Sequence, residues 1–143
     1  MTIIYHQKQF KNYCRLHAIN NLLGNQAFTF QEFENICDEF DKKNKFDNGF
    51  SKNTYSFYNN GGNNNIFGYL LTKKYKIKME PLDNNLDINQ NLLGIICFNT
   101  QHTWCVKNID NKLFLIDSLK SKPIEITKNY FNNKFLHFFI IKI

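Results

Sequence analysis

Asn12-Tyr13-Cys14-Arg15-Leu16-His17-Ala18-Ile19-Asn20-Asn21-Leu22-Leu23-Gly24 carries the most information of any stretch in this chain. Leu16, Ile19, Leu22 and Leu23 recur at spacings of three and four, the period of an amphipathic helix, and Gly24 stops the run. Asn12 is the expected N-cap, which puts Cys14 in the first turn. A helix that opens on a cysteine can be a core element or the mount of a nucleophile. What lies further along the chain decides between them.

Downstream, Thr29-x-x-Glu32 reads as a capping box, with Phe28 and Phe33 placed for a hydrophobic staple. Phe30, Phe33, Ile36, Cys37 and Phe40 form the apolar stripe of this second helix, which should end near Lys42 or Lys43. Residues 44–65 are rich in Asn and Gly and read as a surface excursion with a partial helix around Thr54 to Tyr58. Ile66 to Lys74 reads as a third helix with Phe67, Leu70 and Leu71 inward. Tyr75 to Glu80 alternates like a strand closed by Pro81.

The last third of the chain is strand-like. Leu92 to Phe98 is a continuous apolar run, as a strand buried on both faces requires. Thr103 to Ile109 and Leu113 to Ile116 form a hairpin around Asp110-Asn111, a turn without the usual glycine. Leu136 to Ile143 is a final strand. Helices followed by an antiparallel sheet predict an α+β fold.

The composition narrows the function. The 143 residues (17.1 kDa) suit one domain, and 15 Phe and 7 Tyr argue against a disordered chain. The apolar runs fall short of the roughly 18 residues a membrane helix needs. Met1 to Lys11 has no apolar core of the kind a secretory signal carries, so an intracellular, cytoplasmic setting is expected (a host's cytoplasm, if virus-encoded). The net charge of +6 could serve an anionic partner, but Arg15 is the only arginine and no phosphate-binding loop is present. Nucleic-acid binding is therefore not expected. Cys14, Cys37, Cys97 and Cys105 make no C-x₂₋₄-C pair, so neither a structural zinc nor a disulfide framework is expected.

Three polar residues can meet in such a fold. Cys14 stands at a helix start, His102 just before one hairpin strand and Asp117 just after its partner, and the two ends of a hairpin are neighbours. A thiol attacks as its thiolate, which a helix N-terminus and a nearby imidazolium favour. The imidazole then acts as base and later as acid, and a carboxylate fixes its tautomer. The midpoint turn puts His102 and Asp117 roughly opposite in register. Gln9, five residues before Cys14, could offer its amide to the developing oxyanion beside the Cys14 N–H. Cys37, Cys97 and Cys105 sit in apolar stripes and read as core.

Tyr5-His6-Gln7-Lys8-Gln9 and the Cys14 to Leu23 block resemble the opening of Josephin domains, which reads Y-H-E-K-Q and then C-x-x-H-x-L-N-N. Ala27-Phe28-Thr29 follows at that family's spacing. Gln101-His102-Thr103-Trp104-Cys105-Val106 resembles its histidine strand, and Leu115-Ile116-Asp117-Ser118-Leu119 the strand of the third residue. The resemblance implies a papain-like, α+β cysteine protease: a helical lobe packed on an antiparallel β-sheet, with residues 1–143 as one catalytic domain. It implies Cys14 as nucleophile, His102 as base, Asp117 as its orienter and Gln9 in the oxyanion hole. The implied reaction is cleavage after the C-terminal Gly-Gly of ubiquitin or of polyubiquitin chains, by a monomer with no metal or cofactor. Three departures stand out. Gln7 replaces the usual Glu, Thr103 intervenes between His102 and the Trp that usually follows directly, and residues 41–65 are short for the family's helical hairpin.

The remaining polar residues have plainer readings. His17, on the helix of Cys14, is the rival base, but a base normally approaches from another element; a structural hydrogen bond beside the site is favoured. His17 and Trp104 are the candidate substrate contacts, Trp104 as a wall of the cleft. His6 and His137 read as ordinary surface or core-edge residues, and Asn20 and Asn21 as structural. The polar flanks Asn12 and Arg15 argue against a deeply buried Cys14. The rival functions are a peptidase for another ubiquitin-like modifier, an acyltransferase on the same residues, and a ubiquitin-binding module without turnover.

Overall fold

The structure is a computed structural model that describes residues 3–8, 13–44, 65–75, 77–82, 86–99 and 101–143. Among the described residues three helices come first: α1 (Cys14–Leu23), α2 (Phe30–Asn44) and α3 (Ile66–Lys74). Six strands follow: β1 (Lys78–Pro81), β2 (Leu92–Phe98), β3 (Thr103–Ile109), β4 (Lys112–Ile116), β5 (Ile124–Ile126) and β6 (His137–Lys142). A short 3₁₀ turn, Lys128–Asn132, lies between the last two. The strands form one antiparallel sheet in the order β1-β6-β2-β3-β4-β5. This is the α+β arrangement that the order of helical and strand patterns predicts. The partial helix around Thr54 to Tyr58 and most of the segment 41–65 lie outside the described residues. Among the described residues no helix is long and apolar enough to cross a membrane.

The period-2 rule divides the sheet into two faces. Ile96, Cys105, Ile116 and Ile141 point toward the helices and join Leu16, Ile19, Leu22, Phe33, Phe67 and Leu70 in one core. Ile95, Cys97, Trp104, Val106 and Ile140 point the other way, into a second core covered by Leu86, Tyr130 and Phe131. β2 is buried on both sides, which is why its sequence is continuously apolar.

Local signals act as their chemistry requires. The capping box at α2 is formed: the Glu32 N–H donates to Thr29 Oγ1 and the Thr29 N–H to Glu32 Oε1, each at 3.2 Å. Gly24 ends α1 in the left-handed region at φ 80°, its N–H bonding the Asn20 carbonyl at 2.9 Å. Asp110 and Asn111 take φ of 53° and 66°, a two-residue turn that these short polar side chains tolerate without glycine.

Two expectations need correction, and one strand, β5, carried no expectation. Tyr13, not Asn12, is the N-cap of α1, and it supplies no side-chain cap. Tyr75 ends α3 rather than opening a strand; its N–H bonds the Leu71 carbonyl, and pairing with β6 starts only at Lys78. The pairing of β5 with β4 covers only Ile124 to Ile126, too short a run to give a periodic signal.

α1 lies across β3 and β2, and Gly94 makes the close approach possible. A Cβ there would strike the Leu22 side chain and the Val106 carbonyl oxygen. Gly94 also stands where the pairing of β2 with β6 shifts register. Gly94→Ala is therefore expected to cost about 1–3 kcal/mol, the range for forcing atoms into a packed core. Urea unfolding measures it; an unchanged midpoint would mean that α1 can lift off the sheet freely.

Candidate active site

Cys14 is the first residue of α1 and only 2% exposed. The expectation that Arg15 keeps this region near solvent is corrected: Arg15 is fully buried. Burial draws its guanidinium down to about 10, opposed by the neighbouring Cys14, Cys37 and Asp41. The first turn of α1 thus carries a buried cation, and the Cys14 thiol is itself buried rather than on a polar surface.

β3 and β4 bring in the other two residues. His102 precedes β3 and Asp117 follows β4, at the hairpin end remote from the Asp110-Asn111 turn. Cys105 pairs with Ile116, so His102 and Asp117 are diagonal neighbours on one side of the ladder rather than directly opposite. His102 Nε2 donates to Asp117 Oδ1 at 2.7 Å. That bond leaves Nδ1 as the nitrogen for Cys14, with which the imidazole is also hydrogen-bonded. Burial lowers the pKa of His102, but the bonds to Asp117 and Cys14 outweigh it and raise it from 6.5 to about 9. Burial pushes the carboxyl of Asp117 up, yet the hydrogen bonds from His102 and from the Leu119 N–H hold it below its usual range.

The approach to His102 is also fixed. Asn99 Oδ1 accepts the N–H groups of Gln101 and His102 at 2.8 and 2.9 Å, which turns the chain into β3. The other three thiols are fully buried, and burial pushes each of them above the ordinary cysteine range. They are core residues, as their apolar surroundings predict.

The sequence pattern of the Josephin family matches residues 9–140. The chain belongs to the Josephin family. That family has the papain-like fold and is one of deubiquitinase-type cysteine proteases. No curated protein matches the chain.

Within the Josephin frame, two of the three departures now have a physical consequence, while most of residues 41–65 lie outside the described residues. Strand alternation sends Thr103 and Trp104 to opposite faces. Trp104 therefore shares the face of His102 and stacks on its ring at 5.6 Å and 21°. Its Nε1–H donates to Tyr130 Oη at 2.9 Å, and burial raises that hydroxyl to about 12. Trp104 is 7% exposed, and its ring backs the imidazole.

Gln7, in place of the Josephin Glu, accepts through Oε1 from His17 Nδ1 at 2.8 Å and from Asn20 Nδ2 at 3.0 Å. A neutral carbonyl meets the needs of both donors without burying a charge. His17 is 2% exposed and packs edge-on against Phe30. Its hydrogen bond to Gln7 fits the structural role the helix reading favours. Asn20 also exchanges hydrogen bonds with the backbone of Phe28, and Asn21 with the backbone of Gln7. Both asparagines are structural, as expected. Gln9 lies outside the described residues.

Sequence reasoning missed two participants. His6 Nε2 donates to the backbone carbonyl of Asp117 at 2.8 Å. Its place beside Gln7 in a recognisable motif was the available signal. Tyr130 carried no signal at all, because its partner is reached only through the second core.

Proposed function

We propose that this Josephin is a cysteine-type deubiquitinase that hydrolyses the bond after the C-terminal Gly-Gly of ubiquitin, acting as a monomer in the cytoplasm. One observation carries the reading: His102 is hydrogen-bonded on one side to Asp117 at 2.7 Å and on the other to Cys14 at a helix start. This is the arrangement an acyl-transfer nucleophile needs.

In this mechanism the His102 imidazole takes the proton of the Cys14 thiol, and the thiolate attacks the carbonyl of the terminal glycine. The Cys14 N–H and the Gln9 amide receive the developing oxyanion. The imidazolium then gives its proton to the leaving amine, and the C–N bond breaks. Water, deprotonated by the same imidazole, attacks the thioester and frees ubiquitin and the thiol. Asp117 holds the Nε2–H tautomer throughout and offsets the charge on the ring. Trp104 limits the rotation of the ring by stacking on it.

The test is a covalent trap. Ubiquitin bearing a C-terminal electrophile is expected to give one adduct by intact mass on the wild type and none on Cys14→Ala. A folded wild type without adduct would overturn ubiquitin as the substrate. The same trap built on other ubiquitin-like modifiers would then identify the replacement.

A further inference from the structure

We infer that His6 is a positioning residue for Asp117, and that His6 and Gln7 form a strap joining the nucleophile helix to the histidine–aspartate hairpin. The inference rests on the proposed roles of Cys14, His102 and Asp117.

Two adjacent residues reach opposite sides of the cleft. Gln7 binds α1 through both its side chain and its backbone, bonding His17, Asn20 and Asn21. His6 binds the other side, donating to the Asp117 carbonyl at 2.8 Å. One peptide bond thus separates the contacts to the two elements that must stay in register for a proton to pass between Cys14 and His102. Ile4, packed against the helix-side core, anchors the same segment from its other end.

The grip on Asp117 is specific. Its carbonyl accepts His6 Nε2 from one direction and the Lys120 N–H at 2.9 Å from another. Its carboxylate accepts the Leu119 N–H at 2.9 Å and His102 Nε2 at 2.7 Å. The residue has left the regular strand, so no ladder bond of β4 pairs it. The turn through Lys120 and the bond from His6 replace that ladder. Without His6 the peptide plane of Asp117 can rotate, and the carboxylate swings away from the imidazole. A small misplacement of this kind lowers the rate of a step that depends on alignment.

The test uses the full chain with three variants. His6→Leu keeps bulk and removes the donor, whereas His6→Gln keeps an N–H donor at similar reach. His6→Leu is expected to lower kcat on a ubiquitin C-terminal amide about tenfold, roughly what one lost hydrogen bond is worth. KM should stay within about twofold, because no group that binds ubiquitin has changed. The His102 imidazole, followed by NMR without any substrate, should titrate at lower pH in His6→Leu than in the wild type measured beside it. His6→Gln should restore both readouts. If His6→Leu does not fold, His6→Asn, whose amide is too short to reach the carbonyl, is read in its place. An unchanged His102 titration in a folded donor-less variant would overturn the strap, even if stability falls. Because that titration needs no ubiquitin, a wrong substrate and a wrong strap give different results.

Discussion

Cys14→Ala is expected to bind ubiquitin as the wild type does and to lose hydrolysis by about 10⁵-fold or more, the scale seen when a nucleophile is removed from a preorganised site. The other thiols cannot take over. Cys37, Cys97 and Cys105 are fully buried, and burial holds each of them protonated. Removing one sulfur from the first turn of α1 leaves that helix's packing through Leu16, Ile19 and Leu22 intact. Turnover of a fluorogenic ubiquitin amide measures the loss, and titration against labelled ubiquitin measures the retained binding. Residual activity near the wild-type level would remove Cys14 from the mechanism. Loss of binding with loss of turnover would show that the thiol also supports the cleft.

The second large effect belongs to Asp117→Asn. The variant keeps the shape and loses the charge that holds His102 near 9. Burial then acts on the imidazole with less opposition and draws its pKa down. The rate should fall about 100-fold, the lower range of what a positioned acid–base group supplies. The alkaline limb of kcat/KM, which reports loss of the imidazolium proton, should move from about pH 9 to lower pH.

Stability changes with it. In the wild type the raised pKa of His102 makes a stabilising contribution that is complete below 6.5 and disappears as pH rises through about 9. The depressed pKa of Asp117 makes one that is present above its ordinary 3.8 and disappears as pH falls through the folded value. Asp117→Asn should flatten both dependences. Urea unfolding across pH 2 to 10 measures this, and a variant with the wild-type pH profile would exclude the pair as the source.

What could be read from the sequence was what is written locally. The capping box needed only Thr29 and Glu32, the double-sided burial of β2 only its apolar run, and the helix of Cys14 only its spacing. The pairing of His102 with Asp117 followed from hairpin arithmetic, although the offset of the ladder moved it onto the diagonal. The misreadings concern contacts between distant segments. Arg15 looked like a solvated flank because nothing nearby in sequence announces Asp41 as its neighbour. His6 looked ordinary because its partner is a backbone carbonyl, a group every residue possesses.

The sheet order also bears on synthesis. β6 lies between β1 and β2, so β1 has no strand to pair with until residues 137–142 have left the ribosome. Non-local pairings of this kind form late. α1 emerges among the first elements, and the hairpin that carries His102 and Asp117 follows much later. Until that hairpin emerges the nascent chain holds its thiol without a base beside it. The pairing of thiol and base arrives with that hairpin, long after the helix that carries the thiol.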